Sequence, residues 1–311
     1  MLNLGVLSFL ISLTVIFISQ RYFIKKNRFD IVNYRSSHDS LATRNGGLSV
    51  FTTIIIITLY LYYNSNELFD FSLIIPLSIL FTIGLYDDLY QVDFKLKFIF
   101  QIIIAKILID QGFLIENLNG FLGLYEIPYM FSQLLSIFLI VLIVNAVNFS
   151  DGIDGLAITE VIKGLIFIII LLQDYTFDSL NLLLLITICS ILPLYFFNFK
   201  KNNKVFLGDS GSLLLGGIVS VGIIYLGNAI DSSNFNLSTP WIILVCLLYP
   251  IIDLIQVVCI RIYKGVSPFE ADRSHIHHLL LNRGFSHLKT LLIISGVTGI
   301  IQVLVILLFT N

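Results

Sequence analysis

The chain has 311 residues, of which 57% are hydrophobic and only 12% are charged, and its formal net charge is −2. An average soluble domain has about a quarter of its residues charged, so this composition excludes a protein whose main solvent is water. We expect a lipid bilayer as its main environment and no nucleic-acid partner.

Apolar runs long enough to cross about 30 Å of hydrocarbon recur along the whole chain. In chain order they predict spans at residues 2–20, 48–63, 71–86, 97–112, 130–147, 156–173, 180–197, 212–229, 240–260 and 289–309. The first run has no basic residue before it and no small-residue cleavage site after it, which favours an uncleaved helix. The predicted fold class is all-α, a polytopic integral membrane protein with about ten transmembrane helices in a single domain over residues 1–311.

Lysine and arginine occur in alternate predicted loops. They are Arg21, Lys25, Lys26, Arg28, Arg35, Arg44, Lys95, Lys97, Lys200, Lys201, Lys204, Arg261, Lys264, Arg273, Arg283 and Lys289. Loops rich in Lys and Arg stay on the cytoplasmic side. We therefore expect a multi-pass protein of the inner or plasma membrane, with both termini outside and the candidate site facing the cytoplasm.

The inner loops also hold every cluster of unusual polar residues. Asp87 and Asp88 end an otherwise apolar helix. Adjacent carboxylates repel each other unless a cation intervenes, and Mg²⁺ is typically held by one or two carboxylates together with substrate phosphates. A solvated helix end is the alternative interpretation of this pair.

Asp209 stands between Gly208 and Gly211 at the start of another predicted span. Glycine allows close backbone approach to a ligand, and amides at a helix N-terminus favour an anion. This loop could therefore hold both a metal, through Asp209, and a phosphate. A turn followed by a serine-capped helix is the alternative.

The loop at residues 145–155 contains Asn148, Asp151, Asp154 and Gly155. Its two aspartates are three residues apart, so they would share a face if a helix began there. A pair of hairpin turns is the alternative, but we expect no sheet in this chain for a hairpin to join. A functional role is favoured.

His275, His277 and His278 are three of the five histidines in the chain, and they follow Asp272 and Arg273. Neutral imidazoles would suggest Zn²⁺, whereas protonated ones suggest phosphate binding or acid-base chemistry. Because no Cys or Glu-containing zinc signature accompanies them, phosphate contact or proton transfer is favoured. A solvated basic loop is the alternative.

Together these loops supply carboxylates for a metal, amides and cations for phosphates, and polar groups for a base or sugar, which predicts phosphoryl transfer. A secondary transporter is the alternative from another class, and a membrane scaffold is a second. A transporter would need ionisable residues near the bilayer midplane. The candidates are Lys106, Glu160, Lys163 and Asp253, and Lys163 is expected to pair with Glu160, one turn earlier.

Four segments resemble the signature blocks of the polyprenyl-phosphate N-acetylhexosamine-1-phosphate transferases. They are Asp87-Asp88, Asn145 to Leu156, Phe206 to Ser212 and His275 to His278, in the same order as in that family. The superfamily includes the phospho-MurNAc-pentapeptide translocase, but the block from Asp272 to His278 is more similar to the simple amino-sugar branch. The early loop, Leu41 to Gly47, departs from the family pattern because it lacks two prolines and one glycine.

The resemblance implies transfer of an N-acetylhexosamine 1-phosphate from a UDP-N-acetyl sugar to undecaprenyl phosphate, with release of UMP. The product would start a lipid-linked glycan of the cell envelope. The resemblance also implies Mg²⁺ as the metal, with Mn²⁺ as an alternative, and a homodimer is a further expectation.

The resemblance also implies roles for individual residues. Metal binding would fall to Asp209 and Asp151, and catalysis to Asp87, Asp88, His277 and His278. Substrate binding would involve His38, Arg44, Asn148, Asp151, Asp154, Gly155, Arg273 and His275.

Overall fold

The computed structural model describes residues 2–30, 41–64, 71–172, 179–229, 238–267 and 274–309. In these ranges the chain forms α1 Leu2–Lys25, α2 Gly46–Tyr63, α3 Ile74–Tyr90, α4 Phe94–Asp110, α5 Tyr129–Ser150, α6 Leu156–Leu172, α7 Ser179–Asn198, α8 Gly208–Ala229, α9 Thr239–Cys246, α10 Leu248–Tyr263, α11 Ile276–Asn282 and α12 His287–Phe309. A 3₁₀ turn, Phe71–Leu73, leads into α3.

Each predicted span falls on a described helix or helix pair, and the predicted all-α, polytopic fold is confirmed. Within the described ranges, seven helices are long and apolar enough to cross a membrane, or eight if the bent pair α9 and α10 is one span. Helices α4 and α6 have 17 residues each, whereas α2 has 18 and α3 reaches 20 together with the 3₁₀ turn Phe71–Leu73. Helices of about 17 residues are at the lower limit for crossing a bilayer, so α4 and α6 are compatible with the prediction of about ten spans.

The span predicted at residues 240–260 is not one straight helix. Helices α9 and α10 meet at Leu247 with a bend of 92°. Pro250 has no N–H, so it cannot donate to the carbonyl of Cys246 as a helix requires. Gln302 of α12 donates to that carbonyl at 3.3 Å and to the carbonyl of Val245 at 2.8 Å, which satisfies the broken backbone inside the bundle.

Two short strand pairs correct the expectation that the chain contains no sheet. Strand β1, Ala42–Thr43, pairs in parallel with β4, Lys204–Val205. Strands β2, Asn117–Phe121, and β3, Leu124–Glu126, form an antiparallel hairpin. The pairing of β1 with β4 ties the segment before α2 to the segment before α8.

Helix α8 is the most deeply buried of the seven long helices, and α2, α3, α5 and α6 pack around it. Glycines allow the close crossings, because a Cβ at Gly47 would lie 2.1 Å from the amide nitrogen of Gly211. A Cβ at Gly84 would lie 2.4 Å from the carbonyl oxygen of Asp209. The first turn of α8 is thus held against α2 and α3, where the predicted site residues lie.

The ionisable residues inside the spans are paired. Lys163 lies 2.9 Å from Glu160, as predicted, and Ser295 of α12 donates to the same carboxylate at 2.9 Å. Lys106 pairs with Asp110, one turn later on α4. These contacts join neighbouring turns and helices, so they account for the charges without a transport role.

Candidate active site

Asp88 caps the N-terminus of α8. Its two carboxylate oxygens accept hydrogen bonds from the main-chain amides of Asp209 and Ser210, each at 2.9 Å. Gly208 has φ +74°, and a Cβ there would lie 2.7 Å from the Asp88 carboxylate, so the approach requires glycine. The helix amides predicted to bind a phosphate are therefore occupied by a protein carboxylate.

Asp87 and Asp209 share one cation, the ammonium group of Lys97. Its Nζ lies 3.0 Å from Asp87 Oδ2 and 3.0 Å from Asp209 Oδ2. The other Asp87 oxygen accepts the amide of Val92 at 2.6 Å. The end of α3, the start of α4 and the start of α8 thus meet at two carboxylates bridged by a positive charge.

Sequence reasoning used Lys97 only as a marker of orientation and missed its place in the site. A signal was present, because Lys97 lies in the first turn of the helix that follows the Asp87 and Asp88 pair. The connection between α3 and α4 is only residues 91–93. The ammonium group therefore has to lie at the same end of the bundle as the carboxylates.

Arg44 places a second cation beside the carboxylates. Its Nη2 lies 2.7 Å from Asp30 and its Nη1 lies 3.7 Å from Asp88. Burial lowers the pKa of Arg44, but the charges of Asp30, Asp88 and Asp209 outweigh it and raise the pKa, so the guanidinium stays charged. A cavity of about 300 Å³ opens here, lined by Arg44, Asp88, Asp30 and Arg28 among others.

Asp151 joins the same group of carboxylates. Burial, followed by the charges of Asp209 and Asp88, raises the pKa of Asp151 to about 7. Arg44 and a hydrogen bond from the Gly208 backbone act in the opposite direction. A cation placed among these aspartates would stabilise their ionised forms.

Asn148 ties the end of α5 to α8. Its side-chain amide donates to the hydroxyl of Ser212 at 2.8 Å. Ser212 lies one turn after Asp209 in α8, so the contact fixes the Asp151 loop relative to the first turn of that helix. Asn148 thus lies beside the carboxylates, and its predicted contact with substrate stays a prediction.

Asp154 has different partners from Asp151, and the helix start that would place the two aspartates on one face does not occur at these residues. Helix α6 begins only at Leu156, so both aspartates lie in the preceding loop. Asp154 pairs with Lys204 and lies 3.2 Å from Nδ1 of His287. Burial raises the pKa of Asp154, but the hydrogen bonds and charges of these two partners prevail and lower it.

The backbone conformation and the close packing at Gly155 both favour glycine at this position. Its φ is +77°, and a Cβ there would lie 2.7 Å from the ring of Phe199. In the structure Asp154 and Gly155 therefore make contacts that hold the loops in place. Their predicted contact with substrate stays a prediction.

The histidine segment packs against α10. Nδ1 of His275 lies 2.6 Å from Asp253, and Nδ1 of His277 lies 2.8 Å from the hydroxyl of Tyr249. His277 is 1% exposed, and burial together with the neighbouring histidines lowers its pKa well below the usual value. His277 is therefore neutral at physiological pH, whereas His278 is only partly buried and accessible to a ligand.

An apolar groove opens directly beside Lys97. Its volume is about 400 Å³, and it lies between α4, α5, α8 and α10. Aromatic and aliphatic side chains line most of it, including Phe94, Phe98, Phe138 and Leu254, while Lys97 and Asn148 supply polar groups. The groove could take a long apolar chain whose polar end lies at Lys97.

Comparison with known proteins decides the family. The sequence profile of glycosyl transferase family 4 matches residues 70–227, which is more than half of the chain and includes Asp87, Asp151 and Asp209. The chain belongs to glycosyl transferase family 4.

Characterised members of the family are similar over most of their length. The undecaprenyl-phosphate alpha-N-acetylglucosaminyl 1-phosphate transferase of Yersinia pestis is 29% identical over 296 residues, covering 92% of this chain and 78% of that protein. The decaprenyl-phosphate N-acetylglucosaminephosphotransferase of Mycobacterium leprae is 30% identical over 306 residues, covering 88% and 76%. The enzyme of Escherichia coli K12 with the same name as the Yersinia protein is 28% identical, covering 92% and 78%. The resemblance to the amino-sugar branch is confirmed.

Two groups of side chains in this protein have oxygen or nitrogen atoms that could bind a metal ion. Asp87, Asp209 and Asp151 offer carboxylate oxygens, and Lys97 already occupies the place of a shared cation. Oxygen donors of this kind suit Mg²⁺ or Mn²⁺. Elsewhere in the described ranges, ligand atoms of Asp253, His275 and His277 lie within 4.8 Å of one another.

Two predicted substrate-binding residues of this family member, His38 and Arg273, lie outside the described residues, as does Asp272. The other predicted site residues lie at one end of the bundle: at the C-termini of α3 and α5, at the N-termini of α2 and α8, and beside α10 and α11. Their roles in the family reaction stay predictions.

Proposed function

We propose that this chain transfers N-acetylglucosamine 1-phosphate from its UDP-linked form to a polyprenyl phosphate, undecaprenyl phosphate, and releases UMP. One observation carries the proposal: Asp87 and Asp209 converge on a cation at the mouth of an apolar groove. This arrangement joins a site for phosphate chemistry to a site for a lipid chain. The names of the relatives support the same reaction.

The groove suits the acceptor lipid. Its lining of aromatic and aliphatic side chains matches a prenyl chain, and Lys97 can pair with the phosphate at the end of that chain. A phosphate monoester has a second pKa near 6, so the acceptor is mostly a dianion at neutral pH and needs no strong base. The site has mainly to offset negative charge and align the two substrates.

Asp87 is the better placed of the two adjacent aspartates to meet the acceptor. Both oxygens of Asp88 are used by the α8 amides, and its side chain is 1% exposed. Asp87 instead lies against Lys97, which lines the groove. We therefore assign orientation of the acceptor phosphate, and acceptance of its last proton, to Asp87.

The carboxylates of Asp209, Asp151 and Asp87 fit Mg²⁺, with Mn²⁺ as the alternative. When bound there, the ion would offset the charge of the donor diphosphate and the attacking phosphate. Arg44 adds a fixed positive charge on the side of the 300 Å³ cavity. The nucleotide fits this polar cavity better than the apolar groove.

His278 is partly buried and has access to the sugar diphosphate, and the ring of His275, a residue that is 8% exposed, lies 6.1 Å from the ring of His278. His277 is buried and neutral, so its contribution is to support the loop that carries Asp151 rather than to contact a phosphate as a cation. This changes the predicted catalytic role of His277. The cytoplasmic orientation of the site, the outer position of both termini and a homodimer remain parts of the proposal.

The test is incubation of the purified protein in lipid nanodiscs with undecaprenyl phosphate and a panel of UDP-sugars, including UDP-MurNAc-pentapeptide. We expect UMP and a lipid-linked sugar diphosphate, identified by mass, with UDP-N-acetylglucosamine and Mg²⁺. Asp209→Asn is the matched control and should release no UMP. Substrate uptake into vesicles without UMP release would favour a transporter, and turnover only with the MurNAc-pentapeptide donor would reject the amino-sugar assignment.

A further inference from the structure

Helix α10 holds two histidines of the following segment through two residues one turn apart. Tyr249 bonds Nδ1 of His277 at 2.8 Å, and Asp253 bonds Nδ1 of His275 at 2.6 Å. Residues four apart share a helix face, so one face of α10 meets both rings. The two imidazoles stack, with centroids 5.3 Å apart and planes 23° apart. Their orientation is thus set from α10.

The Asp253 carboxylate leaves His275 one choice of tautomer. Its side chain is 1% exposed, and its other oxygen accepts the amide of Ile276 at 2.7 Å. An ionised carboxylate only accepts hydrogen bonds, so the proton of His275 has to be on Nδ1. In the neutral ring, Nε2 of His275 is then the nitrogen that can accept a hydrogen bond, on the side away from Asp253.

We propose that Asp253 is a positioning residue for the transfer reaction: it fixes the tautomer and ring plane of His275, so that Nε2 can accept a hydrogen bond from a hydroxyl group of the UDP-sugar. The inference rests on the proposed function for its reaction. Asp253 also caps the first turn of α11 through Ile276, so the same carboxylate sets where His277 and His278 lie. Asp253 itself does not touch the substrate.

A metal on Asp253, His275 and His277 is the competing explanation of this cluster. Both Asp253 oxygens are already used by hydrogen bonds from His275 and Ile276. Nε2 of His277 has no hydrogen-bond partner, but a Cβ on Gly152 would lie 2.2 Å from it, so the backbone of Gly152 is close to this nitrogen. The contacts fit a hydrogen-bonded pair better than a coordination site.

The first measurement is the tautomer of His275 in the wild-type protein. The chain has five histidines, so ¹⁵N-histidine labelling and solid-state NMR in bilayers give a small set of signals. His275→Gln identifies the signal of His275. We expect Nδ1 to carry the proton. A proton on Nε2 alone, or a metal-bound signal that a chelator removes, would overturn the proposal without any variant at Asp253.

The second measurement uses Asp253→Asn, which keeps the size of the side chain and an oxygen for the Ile276 amide. Its NH₂ group would donate toward Nδ1 of His275 and move the ring proton to Nε2. We expect this change of tautomer in the variant. We also expect kcat for UMP release to fall 10- to 100-fold, as is typical when a residue that orients a histidine is lost. The KM for the UDP-sugar should change less than threefold. Equal kcat in the variant and the wild type would overturn the role.

Tyr249→Phe is the matched control on the same helix. It removes the hydrogen bond to His277 and leaves the contact between Asp253 and His275. We expect the His275 tautomer to be unchanged in this variant, and a tautomer change there would contradict the assignment to Asp253. The two proposals can be rejected independently. A wild-type protein that releases no UMP would reject the proposed function, while the NMR measurement would still test the contact between Asp253 and His275.

Discussion

The main-chain amide of Asp209 donates a 2.9 Å hydrogen bond to the carboxylate of Asp88. Asp88 ends α3 and Asp209 begins α8, so a contact across 121 positions of the chain joins two helix ends. This contact separates the two adjacent aspartates by role. Asp88 holds the start of α8, whereas Asp87 pairs with Lys97, which lines the groove.

Asp88→Ala should destabilise the protein by about 1–2 kcal/mol, because it removes an N-terminal cap that satisfies two amides of a central helix. Asp87→Asn should abolish UMP release and destabilise the protein less than Asp88→Ala, because the asparagine side-chain oxygen can still accept the amide of Val92. Thermal unfolding in detergent and a UMP assay measure both. The reverse pattern, a stable Asp88→Ala protein and an unstable Asp87→Asn protein, would contradict this division.

Lys97→Met should lower kcat by at least about 100-fold, the size of effect seen when one preorganised charge contact is lost at a reacting centre. Without the ammonium group, Asp87 and Asp209 repel each other and the acceptor phosphate loses its cation. Lys95→Met is the matched control, because Lys95 is exposed two residues earlier in α4. A similar loss in both variants would show that the effect is general charge on the helix and not the bridge.

Binding of Mg²⁺ should weaken as the pH falls below about 7. The pKa of Asp151 is raised to about 7 in the metal-free protein, so its carboxyl is protonated below that pH, and a protonated carboxyl is a poor ligand. We expect the dissociation constant to rise about tenfold per pH unit below 7 and to level off above it. Calorimetric titration of metal-stripped protein at several pH values measures this.

Asp151→Asn is the control for that titration. The variant should bind Mg²⁺ more weakly at pH 8 and lose most of the pH dependence, because the titrating group is gone. A wild-type dissociation constant that is flat between pH 6 and 8 would count against Asp151 as a ligand.

Asp154→Asn should destabilise the protein by about 1.5–3 kcal/mol, the usual cost of losing a hydrogen bond to a charged group. The folded-state pKa of Asp154 is lowered, so its stabilisation is present above the unfolded value near 3.9 and is lost as the pH falls through the folded value. The difference from wild type should therefore stay constant between pH 6 and 8.

A double-mutant cycle with Lys204→Met tests the cause of this effect, since Lys204 pairs with Asp154. Unfolding free energies that add independently would mean that the ion pair does not carry the stabilisation. The UMP assay separates this role from substrate binding: if Asp154 acts only through the loops, Asp154→Asn at low temperature keeps most of its kcat.

Much of the site could be located from the sequence because its polar residues lie at the ends of apolar helices. Asp87, Asp151 and Asp209 lie at helix ends. Because consecutive spans alternate in direction, alternate connections between them lie on the same side of the membrane. Which residues make contact was harder to foresee. The conformation of the loop between α5 and α6 sets the direction of its side chains, and it places Asp154 against Lys204.

The sequence by itself determined that this is a polytopic membrane protein and where its apolar helices lie, because transfer of apolar segments into lipid depends on local composition. Only the tertiary structure decided that Lys97 bridges Asp87 and Asp209, that Asp88 caps α8 and that Asp253 holds His275. Each of these contacts joins residues from different helices or segments, and its geometry follows from helix packing and rotation, which no local pattern of residues encodes.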